Sequence, residues 1–150
     1  MKKQDFEKKF LPLLLSNGFN IHPDENASQT KTFPFGRIMR PTTSGIHQIE
    51  IQIDKYSADH FRIYFGIIPL AGVNAPHAGL IAAKDMLVTW LPEYCILYRS
   101  KLFFRQLRRE DLDNSEGFIE EIELYFKHGK IGKRTRRIHA YKPQPLDPAS

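Results

Sequence analysis

The residues able to do chemistry in this chain are scattered along it. Its six histidines, at positions 22, 47, 60, 77, 128 and 139, include no pair at a helical ligand spacing and none set with an acidic residue in a recognisable motif, the arrangements that hold zinc or relay a proton. His47 shares its parity with Ile49, Ile51 and Ile53, so it is expected to point toward the buried face, where a structural histidine is the simpler reading than a catalytic one. Cys95 is the single cysteine and has no internal disulfide open to it. No neighbouring base or helix N-terminus is at hand to generate a thiolate there; between Tyr94 and Ile96 it reads as a small core residue. Glu50 and Gln52, with Gln48 and Asp54, lie on one parity of a strand. Carboxylates so placed are raw material for acid–base catalysis, although alternation alone puts polar residues there. Gly129-Lys130-Ile131-Gly132-Lys133 has the composition of a phosphate loop but follows a helix instead of joining strand to helix. The expectation is no catalytic set, no metal ligands and no cofactor.

One run does invite a partner. Lys127, Lys130, Lys133, Arg134, Arg136 and Arg137 follow Tyr125 and Phe126, with Tyr141 shortly beyond. Lys and Arg neutralise phosphates and aromatic rings stack on bases, which predicts a surface for RNA or single-stranded DNA. The same charges suit an acidic protein face, and no zinc-finger or RNP pattern accompanies them. Their charge is local: from residue 127 onward the chain carries seven Lys or Arg against one Asp, leaving fifteen basic and sixteen acidic residues before it. A basic end on a nearly neutral body produces a field that dispersed charge does not.

These groups need a frame. A chain of 150 residues, 41% hydrophobic, fits one domain with one core that needs neither disulfide nor metal. Asp5 can cap a helix with Phe6, Phe10, Leu13 and Leu14 on one face; Pro12 predicts a kink or break in it and Gly18 its end. Residues 20–31 read as a loop. Phe33, Phe35, Arg37 and Met39 share the parity of a first strand, which Pro34 would push to a sheet edge. Residues 45–54 and 61–67 alternate cleanly and predict an antiparallel pair. If helices cover only the isoleucine face, then Glu50, Gln52, Arg62 and Tyr64 form an open platform for a partner. Pro76 is expected to open a helix carrying Leu80, Ala83, Leu87 and Leu91, ended by Pro92. Residues 94–98 are apolar on both parities, as in a central strand, and 102–107 fit strand or helix. Asp113 with Glu116 resembles a capping box for a last helix bearing Phe118, Ile119, Ile122 and Phe126, stopped by Gly129. The fold class expected is α+β, an antiparallel sheet of about four strands with N-terminal and C-terminal helices on one face. One domain over residues 1–140 and a flexible Pro-rich tail over 141–150 follow. No apolar run approaches the ~20 residues of a membrane span, and the short run behind Met1-Lys2-Lys3 is broken by Pro12 with no cleavage site after it. A soluble cytoplasmic protein is expected.

Phe10-Leu11-Pro12-Leu13-Leu14, Asn17-Gly18-Phe19, Ile49-Glu50-Ile51-Gln52-Ile53 and Phe61-Arg62-Ile63-Tyr64-Phe65-Gly66-Ile67 together resemble a bacterial family of unknown function. In that family an opening helix ending in Gly-Phe precedes a strand around a Gln and a strand with an apolar-Gly-apolar step. The resemblance spans residues 5–70 and stops before the basic run. It implies a small cytoplasmic α+β protein, some relatives being immunity proteins that neutralise a toxin encoded beside them, and it transfers no catalytic residue. The expected function is therefore binding of a cognate toxin domain, with the six basic residues and Glu50, Gln52, Arg62 and Tyr64 as contacts. Nucleic-acid binding by residues 127–137 is the alternative. A small-molecule enzyme comes third and requires at least three ionisable side chains to converge in a concave pocket. The sequence leaves the oligomeric state open.

Overall fold

A computed structural model describes residues 3–21, 31–56, 59–70, 72–75, 79–81, 93–99 and 104–138. The opening helix is divided into α1 (Lys3–Lys9) and α2 (Leu11–Ser16). Pro12, lacking an N–H, is tolerated in the first turn of a new helix and not inside an existing one. At the end of α2, Phe19 N–H donates to Leu14 O and Gly18 N–H to Leu15 O, both at 3.1 Å. Gly18 adopts φ +87° there, the left-handed conformation that favours glycine at a helix end. This turn sends Phe19 into the core, where it is buried.

The main sheet is antiparallel throughout. Strands β1 (Asn20–Ile21), β2 (Arg37–Pro41), β3 (Gly45–Ile53) and β4 (His60–Pro69) are successive neighbours. After the separate pair β5 (Val73–Ala75) and β6 (Gly79–Ile81), β7 (Tyr94–Ile96) returns to β4. β8 (Tyr98–Arg99) and β9 (Phe104–Arg105) pair with each other, β10 (Leu107–Arg108) joins the first residues of β4, and β11 (Thr135–Arg137) pairs with β7. Among the described residues the sheet thus has seven strands where the sequence predicts about four; the additional ones, two or three residues long, are too short for alternation to be visible. β2 is interior, between β1 and β3, because the strand starts beyond Pro34 and keeps all its ladder donors until Pro41. Leu80 lies on β6, not on a helix; Ala83, Leu87 and Leu91 fall outside the described residues, as does the segment from residue 139 onward.

Register decides which face is buried. Ile49 faces Phe65, Ile51 faces Ile63, and Ile53 faces Phe61 across β3 and β4. On this face pack α1, α2 and the long helix α3 (Ser115–His128), through Phe6, Leu14, Phe118, Ile122 and Phe126. Burying each such side chain contributes about 1.5–3 kcal/mol. Phe6 meets Phe61 edge to face at 5.0 Å between ring centres, so α1 is locked to the start of β4. A 3-10 turn (Arg109–Asn114) precedes α3. Asp111 caps this turn, accepting Arg108 N–H at 2.7 Å; α3 itself follows Asn114 with no side-chain cap, so the box expected of Asp113 and Glu116 does not form, and Asp113 instead binds Lys9 Nζ at 2.5 Å.

Candidate partner interface

The basic run is held on three consecutive supports. Lys127 lies in the last turn of α3, where its ammonium lies 3.2 Å from Glu123 and suits the negative end of the helix dipole. Gly129 stops the helix at φ +68°. Gly132 then passes so close to α3 that a Cβ on it would lie 2.1 Å from Glu121 Cγ. That approach lets Glu121 hold the entry to β11: Oε1 accepts Arg134 N–H at 3.3 Å and Oε2 accepts Thr135 Oγ1–H at 2.6 Å. The Arg134 guanidinium stacks over Phe118 at 5.3 Å, half-buried against the core. Lys130, Lys133, Arg136 and Arg137 are exposed, and Ile131 and Ile138 are open to solvent among them. The six basic residues predicted as contacts thus divide into Lys127 in an ion pair, Arg134 in the core margin, and four presented outward.

The second face of the sheet carries the other four predicted residues. Gln52 faces Arg62 and Glu50 faces Tyr64 across β3 and β4. Tyr64 Oη–H donates to Gln52 Oε1 at 2.7 Å, and Arg62 Nη1–H donates to Tyr64 Oη at 3.3 Å. All four are half-buried. Burial pushes the Tyr64 hydroxyl above its ordinary range, while the hydrogen bond to Tyr64 raises Arg62 still further. The face is not the open polar platform that alternation predicts: Gln48, Ile68 and Cys95 are buried on it, Gln48 completely. Burial pushes the Cys95 thiol up to about 12, which suits a packed side chain and not a nucleophile. Strand pairing sets Arg37, Glu50, Tyr64, Cys95 and Arg136 in one transverse row. Arg136 therefore joins the polar strand residues on this face, whereas Arg137 emerges on the helix side, where its charge acts on Glu93 and Tyr125.

Two grooves open at the end of the sheet where β4 begins. One, of about 160 Å³, is bordered by Gln52, Asp54, Tyr56, Arg62 and Gln106; Gln106 Nε2–H donates to Asp54 at 2.7 Å, and Tyr56 is 90% exposed on its rim. The other is lined by Asp59, His60, Arg108, Arg109 and Glu110. It brings ionisable groups together in a concavity, as an enzyme requires. All but His60 are exposed, and Arg109 is committed to Asp5 at 3.2 Å. Such a groove lacks the water-excluded setting in which charged groups stabilise a transition state.

The most strongly coupled charges lie elsewhere and escape the sequence. Arg40 on β2 donates to both oxygens of Glu123, at 2.7 and 3.0 Å, to Asn17 O at 3.0 Å, and to His47 Nδ1 at 2.8 Å. Its guanidinium lies 4.3 Å from the centre of the Phe19 ring, and His47 stacks flat on Phe126 at 4.2 Å. Burial first, then the Arg40 charge, lowers His47 to about 4, Glu123 opposing. His47 is thus neutral at pH 7, with Nδ1 an acceptor. Burial works to raise the Glu123 carboxyl, but the hydrogen bonds from Arg40 and Lys127 prevail and hold it below its ordinary range. Nearly every donor and acceptor here is used within the cluster, so it fastens α2, β2, β3 and α3 together.

Among the described residues no group of three or more His, Cys, Asp and Glu side chains is placed to hold a metal ion, and no helix is long and apolar enough to cross a membrane. No protein-family model, curated protein or solved structure matches the chain.

Proposed function

We propose that this chain is a binding protein of the immunity type, which neutralises a cognate bacterial toxin in the cytoplasm by forming a specific protein–protein complex through its basic C-terminal segment. The observation that carries the reading is the location of Tyr125 and Phe126, the described aromatics beside that segment. Nucleic-acid recognition needs exposed rings on which bases stack. Phe126 is buried against His47, and Tyr125 packs between Tyr94 and Phe65, 4.6 and 5.5 Å away. What the segment does expose is Lys130, Lys133, Arg136 and Arg137 with Ile131 and Ile138, a mixture of cationic and apolar side chains that fits an acidic protein face with an apolar centre. Its rigid anchoring through Glu121 favours binding, because little conformational freedom is left to lose.

The test is co-expression of the tagged chain with the product of the adjacent gene, followed by purification at low and moderate salt with and without nuclease. A stoichiometric complex that survives nuclease and moderate salt, together with protection of cells from that one product, supports the reading. Loss of every bound component on nuclease treatment overturns it in favour of nucleic acid.

A further inference from the structure

β11 is the last strand of the main sheet among the described residues. It has β7 on one side, and no described strand pairs with it on the other. Arg134 O accepts Leu97 N–H at 2.9 Å and Ile138 N–H donates to Glu93 O at 2.7 Å. In an antiparallel ladder alternate residues bond to the same neighbour, so residues 134, 136 and 138 address β7, and the backbone groups of Thr135 and Arg137 address the outer edge. Thr135 N–H is taken by Gly132 O at 3.2 Å within the turn. The outer edge therefore presents Thr135 C=O and both polar groups of Arg137.

We propose that this edge accepts an extended acidic segment of the partner protein as an added strand, and this rests on the protein-binding reading above. Exchange of two hydrogen bonds with Arg137 would register the incoming strand, placing one carboxylate opposite Arg137 on the helix side and the next beside Arg136 on the second face. Charge selects the occupant. A second copy of this chain pairing antiparallel through Arg137 would set the two Arg137 side chains against each other, which is unfavourable between directly opposed strand residues. An acidic strand reverses the sign at that position. The geometry is that of strand addition, in which main-chain bonds give affinity and alternate side chains give specificity. Basic residues on an edge also deter indiscriminate pairing, and a partner of opposite charge is the one such an edge still admits.

A short capped peptide with two adjacent Glu residues flanked by Thr, so that one carboxylate falls on each face of the strand, is the probe, titrated against the full chain with labelled-peptide anisotropy and amide spectra as readouts. The expected result is saturable binding that slows exchange of the Arg137 amide. Arg137→Pro deletes the outward N–H without removing a bond to β7, and should weaken binding by about tenfold or more. Arg137→Thr keeps the N–H and should weaken it less. Equal losses in the two variants overturn strand addition and leave recognition by charge, with the protein-binding reading intact. Binding of a short oligouridylate with none of the peptide overturns both readings, and binding of neither overturns strand addition. If Arg137→Pro does not give a folded spectrum, exchange at Arg137 in the unaltered chain decides: protection by the peptide supports the added strand, and unchanged exchange overturns it.

Discussion

Arg40, His47 and Glu123 illustrate how charges that look dispensable on paper come to hold a fold. The Arg40–Glu123 pair is nearly buried, its side chains 16% and 10% exposed, and removing Glu123 leaves the Arg40 charge facing only the neutral acceptors Asn17 O and His47 Nδ1. Glu123→Ala should therefore cost about 3–5 kcal/mol, read as a lowered urea midpoint; a loss no larger than at an exposed glutamate such as Glu120 would contradict this role. The cluster also sets acid stability. In the unfolded chain His47 takes up a proton near pH 6.5, whereas the folded chain refuses it until about 4. Between these values the unfolded state binds more protons, so stability declines as pH falls, by up to about 3 kcal/mol across the window. Glu123, held below its ordinary range, extends the loss to lower pH. Urea midpoints measured from pH 7 to 4 should drop steadily in the unaltered chain and more shallowly in His47→Gln; parallel slopes would remove His47 as the cause. The inward parity of His47 is legible in the sequence, since it continues the isoleucine series. Its partners are not, because Arg40 and Glu123 are 83 residues apart and meet only once β2 and α3 are packed.

At the scale of elements, the stability of β11 is borrowed from α3. β11 is three residues long, too short to persist by its ladder alone, and Glu121 supplies the additional bonds at its entry. Gly132→Ala would drive a methyl group into Glu121 and displace the carboxylate from Arg134 and Thr135. The expected cost is about 1–3 kcal/mol for the orphaned groups, with faster amide exchange localised to residues 134–137 and none in β3. Uniform acceleration across the sheet would show that β11 is not a separately anchored unit. Elements with a strong period were open to reading: β3 and β4 from alternation, α3 from Phe118, Ile119, Ile122 and Phe126, and the division of the first helix from Pro12. β11 was not, because Thr-Arg-Arg carries no hydrophobic alternation and its place in the sheet comes from Glu121 and β7. The basic run accordingly reads as one patch in the sequence, although the fold separates Lys127, Arg134, Arg136 and Arg137 among a helix end, a core margin and two sides of a strand.

For the whole molecule, the proposed binding function makes the placement of charge the factor that would govern how a partner arrives. Lys130, Lys133, Arg136 and Arg137 are exposed along the stretch from the end of α3 through β11, so on the proposed function an acidic surface should be drawn to that stretch during encounter. Exposed charges at the margin of an interface act chiefly on the association rate. Replacing Lys130, Lys133, Arg136 and Arg137 together by Glu should therefore slow association with the partner by about ten- to a hundredfold at low salt, while raising salt should slow the unaltered chain toward the rate of the variant. Arg134 is left in place because its stacking on Phe118 contributes to the core. With it retained, the unfolding midpoint should move by no more than exposed substitutions usually cause, about 0.5 kcal/mol each. The two rate constants separate the roles of charge and edge. Steering by charge alone predicts a changed association rate and a dissociation rate that hardly moves, whereas loss of the backbone bonds at Arg137 predicts faster dissociation at any salt. An unchanged association rate in the four-residue variant would mean that the partner approaches another face, and Tyr56, exposed beside the groove formed with Arg62, is where the contact would then be sought, since aromatic side chains are common anchors of binding.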